Sequence, residues 1–107
     1  MTKEELSKIL HEACETVSEG VTPEKDVNTY PRIVYWDYVW DDTVASGKDY
    51  QEIDTYQVSF YARTPRHPDL IRLRQLLREV GVYLTIYHEY NEEDKVWHSY
   101  FAVEVVV

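Results

Sequence analysis

Four histidines, two short carboxylate runs and one cysteine are the groups in this chain with the most evident reactivity. His11 falls in an N-terminal amphipathic stretch and His67 in a basic turn. His88 and His98 fall on two consecutive runs with strand alternation. With an even-numbered loop between those runs, His88 and His98 point to opposite faces of a hairpin, because strand side chains alternate, and they share no ligand. The chain has no HExxH or comparable spacing, so no metal and no cofactor is expected. The carboxylates Asp41-Asp42 and Glu92-Glu93-Asp94 lie in turn regions, where acidic residues serve conformation, and a glycosidase-like pair needs a sugar cleft that an exposed turn does not promise. Cys14 has no basic cluster nearby to lower its pKa and reads as a semi-buried thiol. GxSxG, P-loop and GxGxxG motifs are missing, and with three glycines phosphate cradling has little backbone to work with. No catalytic residue is expected, and the chain does not read as an enzyme.

The composition narrows the class. At 107 residues the expectation is a single domain, 1–107, with a modest core. The 20 acidic residues against 11 Lys and Arg leave a formal charge of -9. Such a surface repels phosphates and anionic membranes, so specific nucleic-acid binding and membrane attachment are not expected. No apolar run approaches membrane-spanning length, and the N-terminus lacks a signal-peptide core. A lone cysteine permits no intrachain disulfide, which points to a reducing cytoplasm.

The periodicity gives the elements. A helix is expected over Thr2 to about Ser18, with Thr2 and Glu5 as a capping box and Leu6, Ile9, Leu10, Ala13 and Val17 as its apolar stripe. Pro31 introduces a strand that puts Val34, Trp36, Tyr38 and Trp40 on one face and Ile33, Tyr35, Asp37, Val39 and Asp41 on the other. A second strand puts Tyr56, Val58, Phe60 and Ala62 opposite Ile53, Thr55, Gln57, Ser59 and Tyr61. The segment Asp42 to Gln51 between them is long for a hairpin turn and is expected to be a mobile loop or an extended arm. A second helix follows Pro68 and ends at Gly81. Leu70, Leu73, Leu77 and Val80 form its apolar stripe, and Arg66, Arg72, Arg74 and Arg78 form a local basic face. Val82 to Tyr90 and Lys95 to about Val105 form a second hairpin, pairing Leu84 with Phe101, Ile86 with Ser99 and His88 with Trp97. The expected fold is α+β, a two-layer sandwich in the order α-β-β-α-β-β, with about four antiparallel strands and both helices on one face.

No element remains to cover the other sheet face, which carries Tyr83, Tyr87, His98 and Tyr100. A large half-apolar patch on a small domain marks an interaction surface, and Tyr and Trp are the types enriched at interfaces. The candidate interface comprises those residues, the arm residues Asp42, Lys48, Asp49 and Tyr50, and the basic residues Arg66 and Arg74. Repeated subunit contact through such surfaces suits a head-to-tail ring. A small monomeric module using the tyrosine-rich face to bind another protein is the alternative. A small-molecule or enzymatic domain using His88, His98 and neighbouring tyrosines is a third.

Several short motifs carry a resemblance. Tyr30-Pro31 opens an aromatic strand, and Tyr56-Gln57-Val58 through Phe60-Tyr61-Ala62 has the form Tyr-Gln-Val-x-x-aromatic. Gly81-Val82-Tyr83-Leu84 starts a hairpin after a helix, and His98-Ser99-Tyr100-Phe101 lies in the last strand. From Tyr30 to Val105 the chain resembles small tail proteins of long-tailed bacteriophages and prophages, of the minor tail, tail-completion, tail-to-head joining or tail-terminator type. The resemblance implies a non-enzymatic structural subunit of the virion tail, assembled in the host cytoplasm. It would form a hexameric ring on the tail tube between the major tail protein and the head-connector proteins. DNA would pass through without specific binding, and an acidic channel lining would let it do so without sticking.

Overall fold

The computed structural model describes the backbone of residues 1–45 and 49–107 and the side chains of residues 1–42 and 51–107. Helix α1 spans Lys3–Ala13 and is capped as its sequence predicts, with the Glu5 amide donating to Thr2 Oγ1 at 3.2 Å. It stops five residues short of the expected Ser18 end. Cys14 is already extended, and the β-branched Thr16 and Val17 that follow favour strand. Val17–Glu19 forms a short strand, β1, that pairs in parallel with β2 (Arg32–Ala45), Val17 opposite Ile33 and Glu19 opposite Tyr35. Gly20, at φ 87°, turns the chain out of β1 instead of ending the helix. A 3-10 turn at Glu24–Asp26 lies on the way to β2.

Strand β2 pairs antiparallel with β3 (Asp49–Ala62), and β3 pairs antiparallel with β5 (Val96–Val106). Helix α2 (Pro68–Glu79) starts at Pro68 behind a His67 cap. It ends with Gly81 at φ 84° and the Val82 amide donating back to Leu77 O at 2.9 Å, a left-handed stop that glycine adopts without penalty. Strand β4 (Tyr87–Asn91) closes the sheet in the order β1-β2-β3-β5-β4. The protein is α+β, with two helices packed together beside a five-strand, mostly antiparallel sheet in the order α-β-β-β-α-β-β.

The core joins Leu6, Ile9, Leu10 and Ala13 of α1 and Leu70, Leu73 and Leu77 of α2 to one sheet face, formed by Ile33, Tyr35, Tyr56, Val58, Phe60, Ala62, Phe101, Val103 and Val105. The β3 faces follow the expected alternation. The β2 faces do so only as far as Asp37. A bulge between Asp37 and Val39 breaks the register, and an extra residue moves everything beyond it to the other face. Trp40, opposite Asp54, thereby joins Asp37 on the helix side, while Val39 joins Val34 and Trp36 on the outer side. Trp36 is half-buried on that outer face.

Two further expectations are corrected. The second hairpin pairs Tyr87 with Tyr100, His88 with Ser99 and Tyr90 with Trp97, one residue per strand beyond the predicted register. Asn91 Oδ1 fixes the turn by accepting from the amides of Glu93 and Asp94 at 3.0 and 3.2 Å. The slip is an even number of positions in total, so each side chain keeps its predicted face. Val82, Leu84 and Ile86 are not in a strand but still pack on the core. The segment Asp42 to Gln51 is not a loop over most of its length. Both strands run into it, pairing Asp42 with Glu52 and Ala45 with Asp49. Beyond Ile53 the β2–β3 pair leaves β5 behind and continues as a two-stranded ribbon, within a molecule 51 Å long and 28 by 21 Å across.

Candidate functional site

The outer sheet face is built by alternation. Side chains of Arg32, Tyr61, His98, Tyr100 and Tyr87 reach it from four strands because each occupies the position that alternates away from the helices. Cross-strand neighbours meet at close range on a pleated surface, and here they meet ring to ring. The Arg63 and Arg32 guanidinium carbons lie over the Tyr30 ring at 4.7 and 4.8 Å, and Arg32 also lies over Tyr61 at 4.5 Å. Tyr61 stacks on His98 with centroids 4.5 Å apart and planes 8° apart. His98 leans on Tyr100 at 4.9 Å, and Tyr100 stacks on Tyr87 at 5.6 Å. The result is one continuous cation–π and aromatic ladder across the face.

Polar groups lock it from below. His98 Nδ1 lies 3.1 Å from Glu89 Oε1, and His98 Nε2 lies 2.9 Å from Ser59 Oγ, which also accepts from Gln57 Nε2 at 3.3 Å. With the proton on Nδ1 donated to the carboxylate, Nε2 accepts from the Ser59 hydroxyl. The order Glu89–His98–Ser59 is that of an acid–base–nucleophile relay. Ser59, however, is fully buried in mid-strand, and its Oγ has no path to a substrate carbonyl. Here the relay fixes the imidazole plane on which Tyr61 and Tyr100 stack. At the arginine end, Arg32 Nη1 donates to Val27 O at 3.0 Å and Thr29 O at 3.4 Å, so the guanidinium is clamped as well.

Of the residues singled out from the sequence, the fold brings together Tyr87, His98 and Tyr100. Tyr83 lies apart, exposed in the irregular stretch before β4. Asp42 sits on the ribbon, where Asp49 and Tyr50 also belong to β3, the side chains of those two lying outside the described residues. Lys48 lies wholly outside the described residues. Arg66 and Arg74 line a separate groove of about 230 Å³ with Leu70, Ile71, Leu84, Ile86 and His88. His88 is on the helix side, with Nδ1 2.7 Å from Ser99 Oγ, so the two hairpin histidines do face opposite ways. Cys14 is buried, and removal from water pushes its thiol up, as expected of an unreactive cysteine.

Arg32, Ser59 and Tyr61 are the ladder residues that sequence reading did not assemble, whereas alternation alone sets Glu89 on the face of His98. The available signal was alternation: Ser59 and Tyr61 share a face in β3, and knowledge that β3 neighbours β5 would have set Tyr61 beside His98. A comparison of the chain with protein-family models and with curated proteins finds no match.

Proposed function

We propose that this chain is a structural subunit of a phage or prophage tail, of the tail-terminator or head-tail joining kind, acting by ring assembly on the end of the tail tube. The observation that carries this reading is an outer sheet face that is already ordered, ring on ring, yet covered by no element of the described chain. Rigid, pre-stacked tyrosines lose little conformational entropy on contact and suit a protein interface. The ribbon formed by β2 and β3 past Ile53 gives each subunit a second contact surface, different from the first. Two unlike surfaces on one subunit make a heterologous contact, which closes into a ring when the rotation allows. The partners on this reading are further copies of the chain, the major tail protein and the head connector. The net charge of -9 suits a channel through which DNA moves without being gripped.

The test is electron microscopy of the protein mixed with tail tubes. Rings at one tube end are expected. Absence of end-binding under all conditions would sink the joining role. A persistent monomer that captures a single protein through the tyrosine face would favour the small binding module instead.

A further inference from the structure

On the helix side of the sheet, where the ribbon begins, a recess of about 420 Å³ is lined by Asp37, Trp40, Glu52, Asp54 and Tyr56, together with Thr2, Lys3 and Glu4 from the start of α1. Glu52, Asp54 and Tyr56 share one face of β3 by alternation, Asp37 stands opposite Tyr56, and the bulge before Val39 turns β2 so that Trp40 stands opposite Asp54 on that same face. Asp54 is 5% exposed, and its Oδ1 is buried with no hydrogen-bond donor among the described residues. A carboxylate removed from water without a donor is unfavourable unless a partner compensates it. Lys3, which also lines the recess, has its Nζ paired with Glu19 at 2.9 Å. Trp40 stands over the recess, 75% exposed, with its indole N–H donated to Asp37. An orphaned carboxylate, two more acids and an indole wall make a receptor for a cationic group.

The same molecule carries unmatched cations elsewhere. Among the described residues the ion pairs are Lys3–Glu19 and His98–Glu89, so Arg66 and Arg74 have no carboxylate partner. Their groove includes His88, which is level with Ser99 and hence with Phe60 on β3. At about 3.3 Å per residue, that is on the order of 20 Å along the strand from Asp54. We infer that the Asp54 recess receives an arginine side chain, and that a second copy of this chain supplies it from the Arg66–Arg74 groove. The assignment of the second copy rests on the ring reading above; the cation specificity of the recess does not. The contact is head-to-tail, acidic recess to basic groove, as a closed ring requires.

The experiment has two arms. In the first, the free protein is titrated with N-acetyl-arginine amide while the Trp40 indole N–H signal is followed by NMR. A saturable shift is expected. It should be weakened by added salt, missing with N-acetyl-norleucine amide, and lost in Asp54→Asn, whose remaining spectrum reports whether the fold is kept. Glu52→Gln, at a less buried position, should weaken the shift as well. An equal response in Asp54→Asn and wild type, or no saturable shift, overturns the recess. In the second arm, self-association is measured by sedimentation at rising protein concentration. Asp54→Asn and Arg74→Ala should each reduce association, and the double variant should be no worse than either single one. Arginine-amide binding without association, or association indifferent to Arg66→Ala and Arg74→Ala, overturns the second copy as the source. Failure to cap tail tubes with the arginine response intact overturns the ring reading alone.

Discussion

Phe101 and Glu52 define the two kinds of residue this small domain depends on. Phe101 is 2% exposed and sits opposite Val58 in the centre of the helix-covered face. Phe101→Ala removes a large buried ring from a site that cannot fully collapse, and should cost about 3–5 kcal/mol in urea unfolding. Trp36→Ala should cost clearly less, because that ring is only half-buried on the outer face. Glu52 works in the opposite sense. Removal from water, and then Asp54, Asp42 and Asp37, push its carboxyl above the ordinary carboxylate value. A carboxyl that holds its proton more tightly when folded lowers native stability as pH rises through the interval between its unfolded and folded values, and the loss is relieved as pH falls. Glu52→Gln should therefore melt higher than wild type at neutral pH, and the two melting curves should converge at acid pH. A constant difference across pH would place the effect outside Glu52 ionisation.

Helix α2 and the β2–β3 hairpin show where local signals hold and where they give way. The start and stop of α2 are written in adjacent residues: Pro68 needs no amide partner in the first turn, and Gly81 supplies the positive φ after the last turn. A Cβ at Gly81 would meet nothing within 4 Å, so Gly81→Ala isolates the backbone term. It should destabilise by roughly 1 kcal/mol, read as a lower midpoint with unchanged denaturant slope. The hairpin was legible in β3, where every second residue from Tyr56 to Ala62 is buried as its alternation predicts. It was not legible in β2 past Asp37, because a bulge depends on the partner strand and on what each face packs against. β1 escaped detection for a related reason. Three residues carry too little periodicity to distinguish a strand from the end of a helix, and Val17 is apolar in either role.

For the molecule as a whole, the two sheet faces divide between folding and the proposed assembly. Where the helices cover it, the helix side is filled by the aromatic and aliphatic residues that hold the fold. The outer side holds a ladder whose end member, Tyr87, is 57% exposed. Tyr87→Ala should leave unfolding within about 0.5 kcal/mol of wild type and, on the proposed tail-subunit reading, reduce ring formation on tail tubes, measured by sedimentation and microscopy on the same preparations. If it destabilised the fold as much as Phe101→Ala, the outer face would be acting as core. The candidate site itself was half legible. Tyr87, Glu89, His98 and Tyr100 are on one face by alternation alone, whereas Arg32, Tyr61 and Ser59 join them only through the order in which strands neighbour one another.

The sequence by itself determined the α+β class, the start of α1 and both ends of α2, the faces of β3 and of the second hairpin, and an acidic, tyrosine-rich character. These follow from period, turn chemistry and charge, which act between residues close in the chain. Only the tertiary structure decided that β3 lies between β2 and β5, that a bulge turns Trp40 towards Asp54, and that a buried carboxylate is left without a donor. Those outcomes depend on which surfaces meet when the helices close over one face, and residues far apart in sequence carry no local sign of that meeting.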